Sequence, residues 1–154
     1  MELSSILKPE AVRVLSAASS KKRLFQEIGD VGAATLGLDA HAIVEGLLER
    51  ESLGPTGVGH GVALPHARLS ELESVSGVFV LLEKPIDFGS VDRQPVDLAF
   101  SLFAPEEAGV EHLKALALVS RTLREQSVCA KLRANPDPVK LHAILTEAQS
   151  MQAA

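Results

Sequence analysis

The chain has 154 residues, a length that fits one domain with a continuous hydrophobic core, and we expect a single domain over residues 1–154. Its composition, 46% hydrophobic and 23% charged, is typical of a folded protein and too apolar for a disordered one. Because the formal net charge is -5, no cluster of Lys and Arg stands out, and Trp and Tyr are absent, we expect no nucleic-acid partner.

The first half of the chain predicts two helices that follow an extended lead-in over residues 3–16. Ser19 or Ser20 can cap the first helix, and Gly37 ends it. Asp39 is a favourable cap for the second helix. The spacing of apolar residues in this second helix predicts one buried face, formed by Ile43, Val44, Leu47 and Leu48.

Residues 56–68 form an apolar segment that is interrupted by glycines and contains a histidine. Within it, residues 62–64 predict a short buried strand, and Pro65 restricts the backbone that follows. His66 is therefore expected on stiff backbone at the end of a loop, which suits a group that must meet a reaction partner in one orientation. The alternative from the local sequence is a turn that carries a surface histidine.

The second half of the chain predicts strands at residues 78–82 and 96–103, with residues 84–89 as their connection. Three helices are expected after them, at residues 110–125, 128–133 and 138–148. Helices, then strands, then helices in one short chain favour an α/β sandwich with a mixed sheet over a strictly alternating parallel sheet.

His112 is the second candidate site residue, and it lies near the start of the predicted helix 110–125. Its side chain should face the core, because a helical projection places it on the same stripe as Leu116 and Val119. The unpaired N–H groups and the positive end of the dipole at a helix start favour a nearby anion. The alternative is a structural histidine with ordinary hydrogen bonds.

Arg50 is the third candidate, and it lies near the end of the second predicted helix at the border of its apolar face. Its planar guanidinium has five donors and keeps its charge at any cellular pH, so it suits binding of a phosphoryl group. The alternative is an ion pair at the helix end with Glu49 or Glu51.

The other histidines are weaker candidates. His41 and His142 lie in polar or terminal helical surroundings, and we expect both at the surface. His60 lies close to His66 in sequence, as in a metal pair, but no recognised ligand spacing supports a metal site. The alternating glycines lack the Rossmann spacing and no Gly-Lys-Ser/Thr follows them, so we expect neither a nucleotide nor another cofactor.

The chain carries features of a cytoplasmic protein. Cys129 is the only cysteine, so no internal disulfide can form and the reducing cytoplasm is the expected compartment. Its predicted helical position favours packing over a reactive role. The N-terminus lacks the pattern of a secretory signal, and no stretch approaches the roughly 20 apolar residues that a membrane-spanning helix needs.

Three sequence features together carry a family resemblance. They are His66 after Ala-Leu-Pro, the Arg-Glu pair at residues 50–51, and the run Glu-His-Leu-Lys-Ala-Leu-Ala-Leu-Val-Ser at residues 111–120. With them the chain resembles the enzyme IIA proteins of the phosphoenolpyruvate phosphotransferase system, most of all the nitrogen-regulatory, fructose/mannitol-type branch. The resemblance extends from about Leu3 to the last helix.

The resemblance implies a mixed sheet flanked by helices on both faces. It also implies that His66 is the phosphoryl acceptor, that His112 is the second active-site histidine, and that Arg50 helps to hold the phosphoryl group. The donor would be a small histidine phosphocarrier protein, and the downstream partners would be regulated transporters or sensor kinases. Such a relay requires neither a metal nor a nucleotide.

Two residues depart from the pattern of many relatives, which carry Gly at the position of Ala67 and Asn at the position of His60. A positive φ would be costly at Ala67, and His60 adds a titratable group near the glycine segment. Two other functions stay open: a protein-binding regulatory module whose phosphorylation is dispensable, and a metal site formed by His60, His66 and His112.

Overall fold

Six strands form one mixed sheet within residues 1–153, the part of the chain that the computed structural model describes, with side chains described through residue 148. The strands are β1 (Val12–Leu15), β2 (Gly57–Gly59), β3 (Val62–Ala63), β4 (His66–Leu69), β5 (Ser76–Ile86) and β6 (Val96–Pro105). The helices are α1 (Leu3–Ile6), α2 (Lys21–Leu36), α3 (Ala40–Ser52), α4 (Val110–Arg124), α5 (Gln126–Arg133) and α6 (Pro138–Ala153), and a 3-10 turn spans Pro9–Ala11.

The long antiparallel pair β5 and β6 forms the centre of the sheet. β1 pairs with β5 in the parallel direction, while β3 and β4 both pair in parallel with the other edge of β6. β2 pairs with β3 in the antiparallel direction. The predicted mixed sheet is therefore confirmed.

Helices cover both faces of this sheet. α2 packs on α3, and these two helices contact β5 and β4 respectively. α4, α5 and α6 form a second group, in which α4 contacts β6 and α6 contacts β1. In β6, Phe100 and Leu102 are fully buried, and so are Ala99 and Ser101 on the opposite face of the strand. Burial on both faces is the expected result of helical layers on the two sides of a sheet.

The two predicted N-terminal helices are confirmed together with their caps. The Ser20 hydroxyl accepts a hydrogen bond from the backbone N–H of Arg23 at 3.1 Å, and Gly37 ends α2 in the left-handed conformation with φ 70°. The Asp39 carboxylate accepts from the N–H of His41 at 3.3 Å and so caps α3. These caps place the last turn of α3, with Arg50 in it, beside β4.

The predicted extended lead-in contains more regular structure than the sequence indicates. It includes α1, the 3-10 turn and β1, whose Val12 pairs with Phe79 of β5. β1 has only four residues and carries Arg13, so its length and pattern resemble those of a loop. Its strand conformation depends on pairing with β5, which is distant in the chain.

The predicted connection between the two central strands also differs from the structure. β5 continues to Ile86, so Lys84 and Pro85 belong to the strand and lie in its exposed final part. A register shift separates the pairs formed by Leu81 and Ile86 with β6. A proline is compatible with such an irregular, exposed strand end because no regular ladder bond is lost there.

Candidate functional site

His66 is the first residue of β4, where a break at Pro65 separates two short strands that both pair with β6. The carbonyl of Pro65 accepts a hydrogen bond from the N–H of Leu102 at 2.9 Å, and His66 is the register partner of the same residue. The expected short strand at residues 62–64 is present as β3, and the alternative of a turn with a surface histidine is wrong. Less of the segment is loop than expected, since β2 and β4 also lie within it. Sheet pairing holds the backbone of the half-buried His66.

Both ring nitrogens of His66 have hydrogen-bond partners. Nδ1 lies 2.9 Å from the carbonyl oxygen of Leu64, which can only accept, so Nδ1 carries the proton. The Nε–H of Arg50 points at Nε2 across 3.2 Å, and because arginine can only donate, Nε2 presents its lone pair. The ring is therefore fixed in one tautomer, with its lone pair on Nε2.

Arg50 lies half-buried in the last turn of α3 and bridges two groups. Its Nε contacts His66, and its Nη1 donates to the carbonyl of Gly54 at 2.9 Å. Among the described side chains no ion pair joins Arg50 to Glu49 or Glu51, so that alternative is wrong. Glu51 pairs instead with Lys21 at 3.1 Å.

His112 lies in the first turn of α4 and faces inward, with 5% of its surface exposed. Its ring centroid is 5.5 Å from that of His66, and the two rings are inclined at 74°. Its Nε2 is buried and has no hydrogen-bond partner among the described residues. The expected core-facing position is confirmed, whereas the alternative of a hydrogen-bonded structural histidine does not fit.

Burial lowers the pKa of both histidines. For His66, burial is the main cause and the charge of Arg50 lowers the pKa further, while the Leu64 carbonyl and Glu51 act in the opposite direction. For His112, burial is again the main cause, followed by repulsion from a protonated His66 and from Arg68. Both rings are therefore more fully neutral near pH 7 than a free histidine is.

The structure thus brings together the three predicted residues from α3, β4 and α4, with His66 in contact with the other two. Sequence reasoning missed the backbone carbonyls of Leu64 and Gly54, which orient His66 and Arg50. It also missed the buried carboxylate of Glu51. Carbonyl groups occur at every position, so no side-chain pattern could have identified the first two, but the adjacent Arg-Glu pair pointed to the third.

His60 lies apart from this site. Its φ is 57°, and its N–H donates to the carboxylate of Asp92 at 2.9 Å. It lines a cavity of about 480 Å³ between the β2–β3 turn, α4 and α5, and that lining includes none of the three predicted site residues. Among residues 1–148, no group of three His, Cys, Asp or Glu side chains is arranged to hold a metal ion. The structure offers no geometry for the His60, His66 and His112 metal site.

The remaining candidates have structural surroundings. His41 is exposed and pairs with Glu45, as expected for a surface residue. His142 is half-buried instead, and its Nε2 lies 3.0 Å from the carbonyl of Leu7. Cys129 is 3% exposed, and burial raises the pKa of its thiol, which agrees with the predicted packing role.

The two departures from the pattern of relatives have separate local consequences. Ala67 lies in β4 with ordinary strand geometry, so the expected cost of a positive φ does not arise. His60 does adopt a positive φ, a conformation in which Asn and His are both enriched among non-glycine residues. Neither residue contacts the ring of His66 through a hydrogen bond in the described part of the chain.

Residues 5–148 match the family model described as phosphoenolpyruvate-dependent sugar phosphotransferase system, EIIA 2. The chain belongs to this family. It is 46% identical over 145 residues to the nitrogen regulatory protein of Bradyrhizobium diazoefficiens, with 94% of this chain and 95% of that relative covered. It is 40% identical over 151 residues to the nitrogen regulatory protein of Escherichia coli, with 97% and 92% covered.

Solved structures of EIIA proteins share this fold. The crystal structure of nitrogen regulatory protein IIA-Ntr from Neisseria meningitidis matches with a TM-score of 0.85 at 35% identity, over 94% of this chain and 99% of that one. The mannitol IIA of Escherichia coli matches with a TM-score of 0.76 at 20% identity, over 90% and 97%, a likeness of fold alone. The predicted resemblance to the nitrogen-regulatory, fructose/mannitol-type branch is confirmed.

A membrane-spanning helix was not expected from the sequence. Within the described residues, none of the helices combines the length and the apolar composition that crossing a bilayer would need.

Proposed function

We propose that this EIIA protein is a phosphoryl carrier that accepts a phosphoryl group on Nε2 of His66 from a small histidine phosphocarrier protein. The observation that carries the proposal is the hydrogen bonding of His66. Its Nδ1–H is fixed by Leu64, and its Nε2 lone pair faces the guanidinium of Arg50. A neutral imidazole oriented in this way is a nucleophile near pH 7, and once phosphorylated it is a good leaving group.

The proposed transfer exchanges one N–P bond for another. The lone pair on Nε2 of His66 attacks the phosphorus of the phosphohistidine on the donor, and the donor N–P bond breaks with its electron pair returning to the donor imidazole. The proton on Nδ1 stays on the Leu64 side, where the 2.9 Å contact with the carbonyl stabilises the positive ring. In-line transfer of this kind depends mainly on positioning and electrostatics.

Arg50 and His112 would stabilise the transferred charge. A unit charge about 4 Å from an opposite charge contributes roughly 4 kcal/mol at an effective dielectric near 20, before desolvation costs. In the unphosphorylated site the Nε–H of Arg50 donates to the lone pair on Nε2 of His66. The guanidinium must therefore move from Nε2 to the phosphoryl oxygens when the phosphoryl group is transferred. The unpartnered Nε2 of His112 has a free position for a further hydrogen bond to those oxygens.

We also propose a regulatory role in a single cytoplasmic domain over residues 1–154, signalling nitrogen, carbon or potassium status through contacts with regulated transporters or sensor kinases. The support comes from the relatives whose names describe nitrogen regulatory proteins. No residue arrangement in the proposed transfer step calls for a metal, a nucleotide or another cofactor.

Reconstituted phosphorylation tests this proposal. The purified chain, incubated with phosphoenolpyruvate, the general phosphotransferase enzyme and the small carrier, should gain one acid-labile phosphate in an intact-mass measurement. His66→Ala should gain none, while the matched control His41→Ala, which removes an exposed histidine, should be labelled like the wild type. A label that persists in His66→Ala would refute the assignment of the acceptor.

The alternative is a binding module whose phosphorylation is dispensable. Exposed apolar side chains close in the chain to Arg50 and His112 favour it as a second candidate, namely Leu53 and Leu113. Binding of a transporter or sensor kinase by His66→Ala and His66→Asp separates the two functions. Equal affinity of both variants and of the phosphorylated wild type, with no cellular effect of phosphotransfer, would favour the binding module.

A further inference from the structure

Glu51 follows Arg50 directly in the chain, but its carboxylate turns toward Thr56 and Lys21. The carboxylate is nearly buried, with 7% of the side chain exposed. Oε1 accepts from the backbone N–H of Thr56 at 2.8 Å and from Nζ of Lys21 at 3.1 Å, and Oε2 accepts from the Thr56 hydroxyl at 2.7 Å. A buried carboxylate is retained only when its oxygens are bonded in this way, so Glu51 has a fixed position.

These contacts close the loop of residues 53–56, which leaves the end of α3. Within the loop, the carbonyl of Gly54 accepts from Nη1 of Arg50 at 2.9 Å. α3 holds one end of the loop, and the bonds from Thr56 to Glu51 hold the other. The carbonyl of Gly54 therefore cannot move far without breaking the contacts of Glu51, and it tethers one end of the guanidinium.

Thr56 is also connected to His66 through Leu64, the residue that follows β3. Its carbonyl accepts from the N–H of Leu64 at 2.9 Å, and the carbonyl of Leu64 in turn accepts from Nδ1 of His66 at 2.9 Å. Two routes therefore start at the buried Thr56, which is 5% exposed. The first runs along the loop backbone, which the contacts with Glu51 hold, to the Gly54 carbonyl, and the second runs through the hydrogen bonds of Leu64. One route reaches Arg50 and the other reaches His66, and they meet at the 3.2 Å contact between Nε and Nε2.

We propose that Glu51 is a positioning residue that acts through Thr56 to set the guanidinium of Arg50 against the ring of His66. The inference rests on the proposed function for its catalytic consequence, because a misplaced arginine matters only if the site transfers a phosphoryl group. Glu51 itself does not touch the reacting atoms. Its role is to fix the position of the Arg50 guanidinium. From that position Arg50 donates a hydrogen bond to Nε2 before transfer and to the phosphoryl oxygens after it.

A purely structural role for Glu51 makes different predictions from a positioning role. If the carboxylate only stabilises the end of α3, its loss lowers the melting temperature and leaves the folded site intact. If it positions Arg50, a disturbed clamp moves the guanidinium away from His66, and the pKa of His66 then rises because the charge of Arg50 lowers it. Loss of the Glu51 charge alone shifts this pKa the other way.

Thr56→Val is the most informative variant, because it removes one bond of the clamp and keeps the charge of Glu51. Thr56→Ser restores the hydroxyl, Glu51→Gln removes the charge at nearly constant size, and Glu49→Gln is a matched control at an exposed position of the same helix. Two readouts apply to the folded protein. One is the initial rate of phosphoryl transfer to His66, and the other is the ¹⁵N titration of the His66 ring by NMR.

We expect Thr56→Val and Glu51→Gln to slow transfer at least about tenfold, since displacements of about 1 Å can cost 100-fold in such reactions. The pKa of His66 should rise in Thr56→Val. In Thr56→Ser and Glu49→Gln, the transfer rate should stay within about twofold of the wild type and the pKa of His66 within a few tenths of a unit. The proposal is overturned if Thr56→Val keeps the wild-type titration of His66, whatever its melting temperature and its transfer rate.

The NMR titration separates this proposal from the proposed function. If the wild type takes up no phosphate on His66, the phosphoryl-carrier function fails. The ring of His66 in Thr56→Val still reports whether Arg50 has moved, because its titration needs no phosphoryl donor. An unchanged titration would overturn the positioning role independently, and a shifted titration would support it.

Discussion

The two histidines of the site are held in opposite ways. His66 has hydrogen bonds on both ring nitrogens, one to the Leu64 carbonyl and one from Arg50. His112, with its ring centroid 5.5 Å away, has an unpartnered Nε2 and is held by the burial of its helix face. One ring is therefore oriented by polar contacts before any ligand arrives, and the other is oriented by packing.

This difference assigns separate tasks to the two rings under the proposed function. Hydrogen bonds on both sides fix the tautomer of His66 and so determine which nitrogen reacts. A buried donor or acceptor without a partner costs free energy, and a new partner in the transferred group would recover that cost. The ring of His112 therefore still has a nitrogen that can form a hydrogen bond to the phosphoryl group. The ring of His66 must first lose its hydrogen bond from Arg50 before Nε2 can bond to phosphorus.

Removing Arg50 should have the largest effect on the rate of phosphoryl transfer, because it removes the hydrogen bond to Nε2 of His66. Loss of one donor to a transferred oxyanion typically reduces rates by about 100-fold or more, and we expect a loss of this size in Arg50→Ala. Arg50→Lys should recover only part of the rate, because an ammonium lacks the fork that reaches His66 and Gly54 together. Initial rates at saturating phosphorylated donor measure both.

Arg23→Ala is the control for this experiment, since Arg23 is exposed on α2 and pairs with Glu27. Its rate should match that of the wild type. A rate for Arg50→Ala within about twofold of the control would show that the guanidinium contributes little to transfer, because a lost oxyanion donor costs far more.

His112→Leu tests the packed side of the site and should separate activity from stability. Leucine keeps the apolar contacts of the helix face and removes a buried nitrogen that has no partner, so we expect the free energy of unfolding to rise by about 1 kcal/mol. Transfer should slow by about tenfold, less than in Arg50→Ala, because the lost donor is neutral and a neutral hydrogen bond is roughly half as strong as a charge-assisted one. Chemical denaturation and initial rates measure the two effects. A variant that is less stable but fully active would reverse this assignment.

The pH dependence of the two variants should sharpen the contrast further. Burial lowers the pKa of His66, so the wild type should remain able to accept phosphate below the ordinary histidine pKa of about 6.5. Arg50→Ala removes a positive charge, favours the protonated ring and raises the pKa, so its transfer rate should fall at a higher pH than that of the wild type. His112→Leu removes no permanent charge beside His66, so it should move the profile less than Arg50→Ala does. Equal profiles for all three proteins would contradict this reasoning.

Much of the fold follows from local patterns in the sequence. The caps at Ser20 and Asp39 and the left-handed Gly37 act within a few residues, so they identify α2 and α3 without reference to the rest of the molecule. The four-residue strands β1 and β4 lack such information. They become strands through pairing with β5 and β6, which lie far away in the chain, and this explains why a lead-in and a loop were expected there.

The side chains of the candidate site could be selected from the sequence, but the backbone hydrogen bonds that orient them could not. His66, His112 and Arg50 could be selected because residue type and position on a helix or near a strand restrict their chemistry. The inward position of His112 followed from helical periodicity. The Leu64 and Gly54 carbonyls could not be selected, because their roles depend on tertiary geometry rather than residue type.

Ala67→Gly should have the smallest effect on transfer and tests whether the backbone after His66 needs glycine. Ala67 lies in β4 without a positive φ and is 5% exposed, so glycine would release no strain and would remove a buried methyl group. We expect a transfer rate within about twofold of the wild type and a free energy of unfolding lower by roughly 1 kcal/mol, from lost burial and greater freedom of the unfolded chain. A large gain in rate would instead mean that Ala67 holds β4 away from the geometry that phosphorylation needs. β4 carries both Ala67 and His66. A change in the ¹⁵N titration of the His66 ring, measured in parallel, would therefore show that the gain in rate comes from His66 rather than from His112.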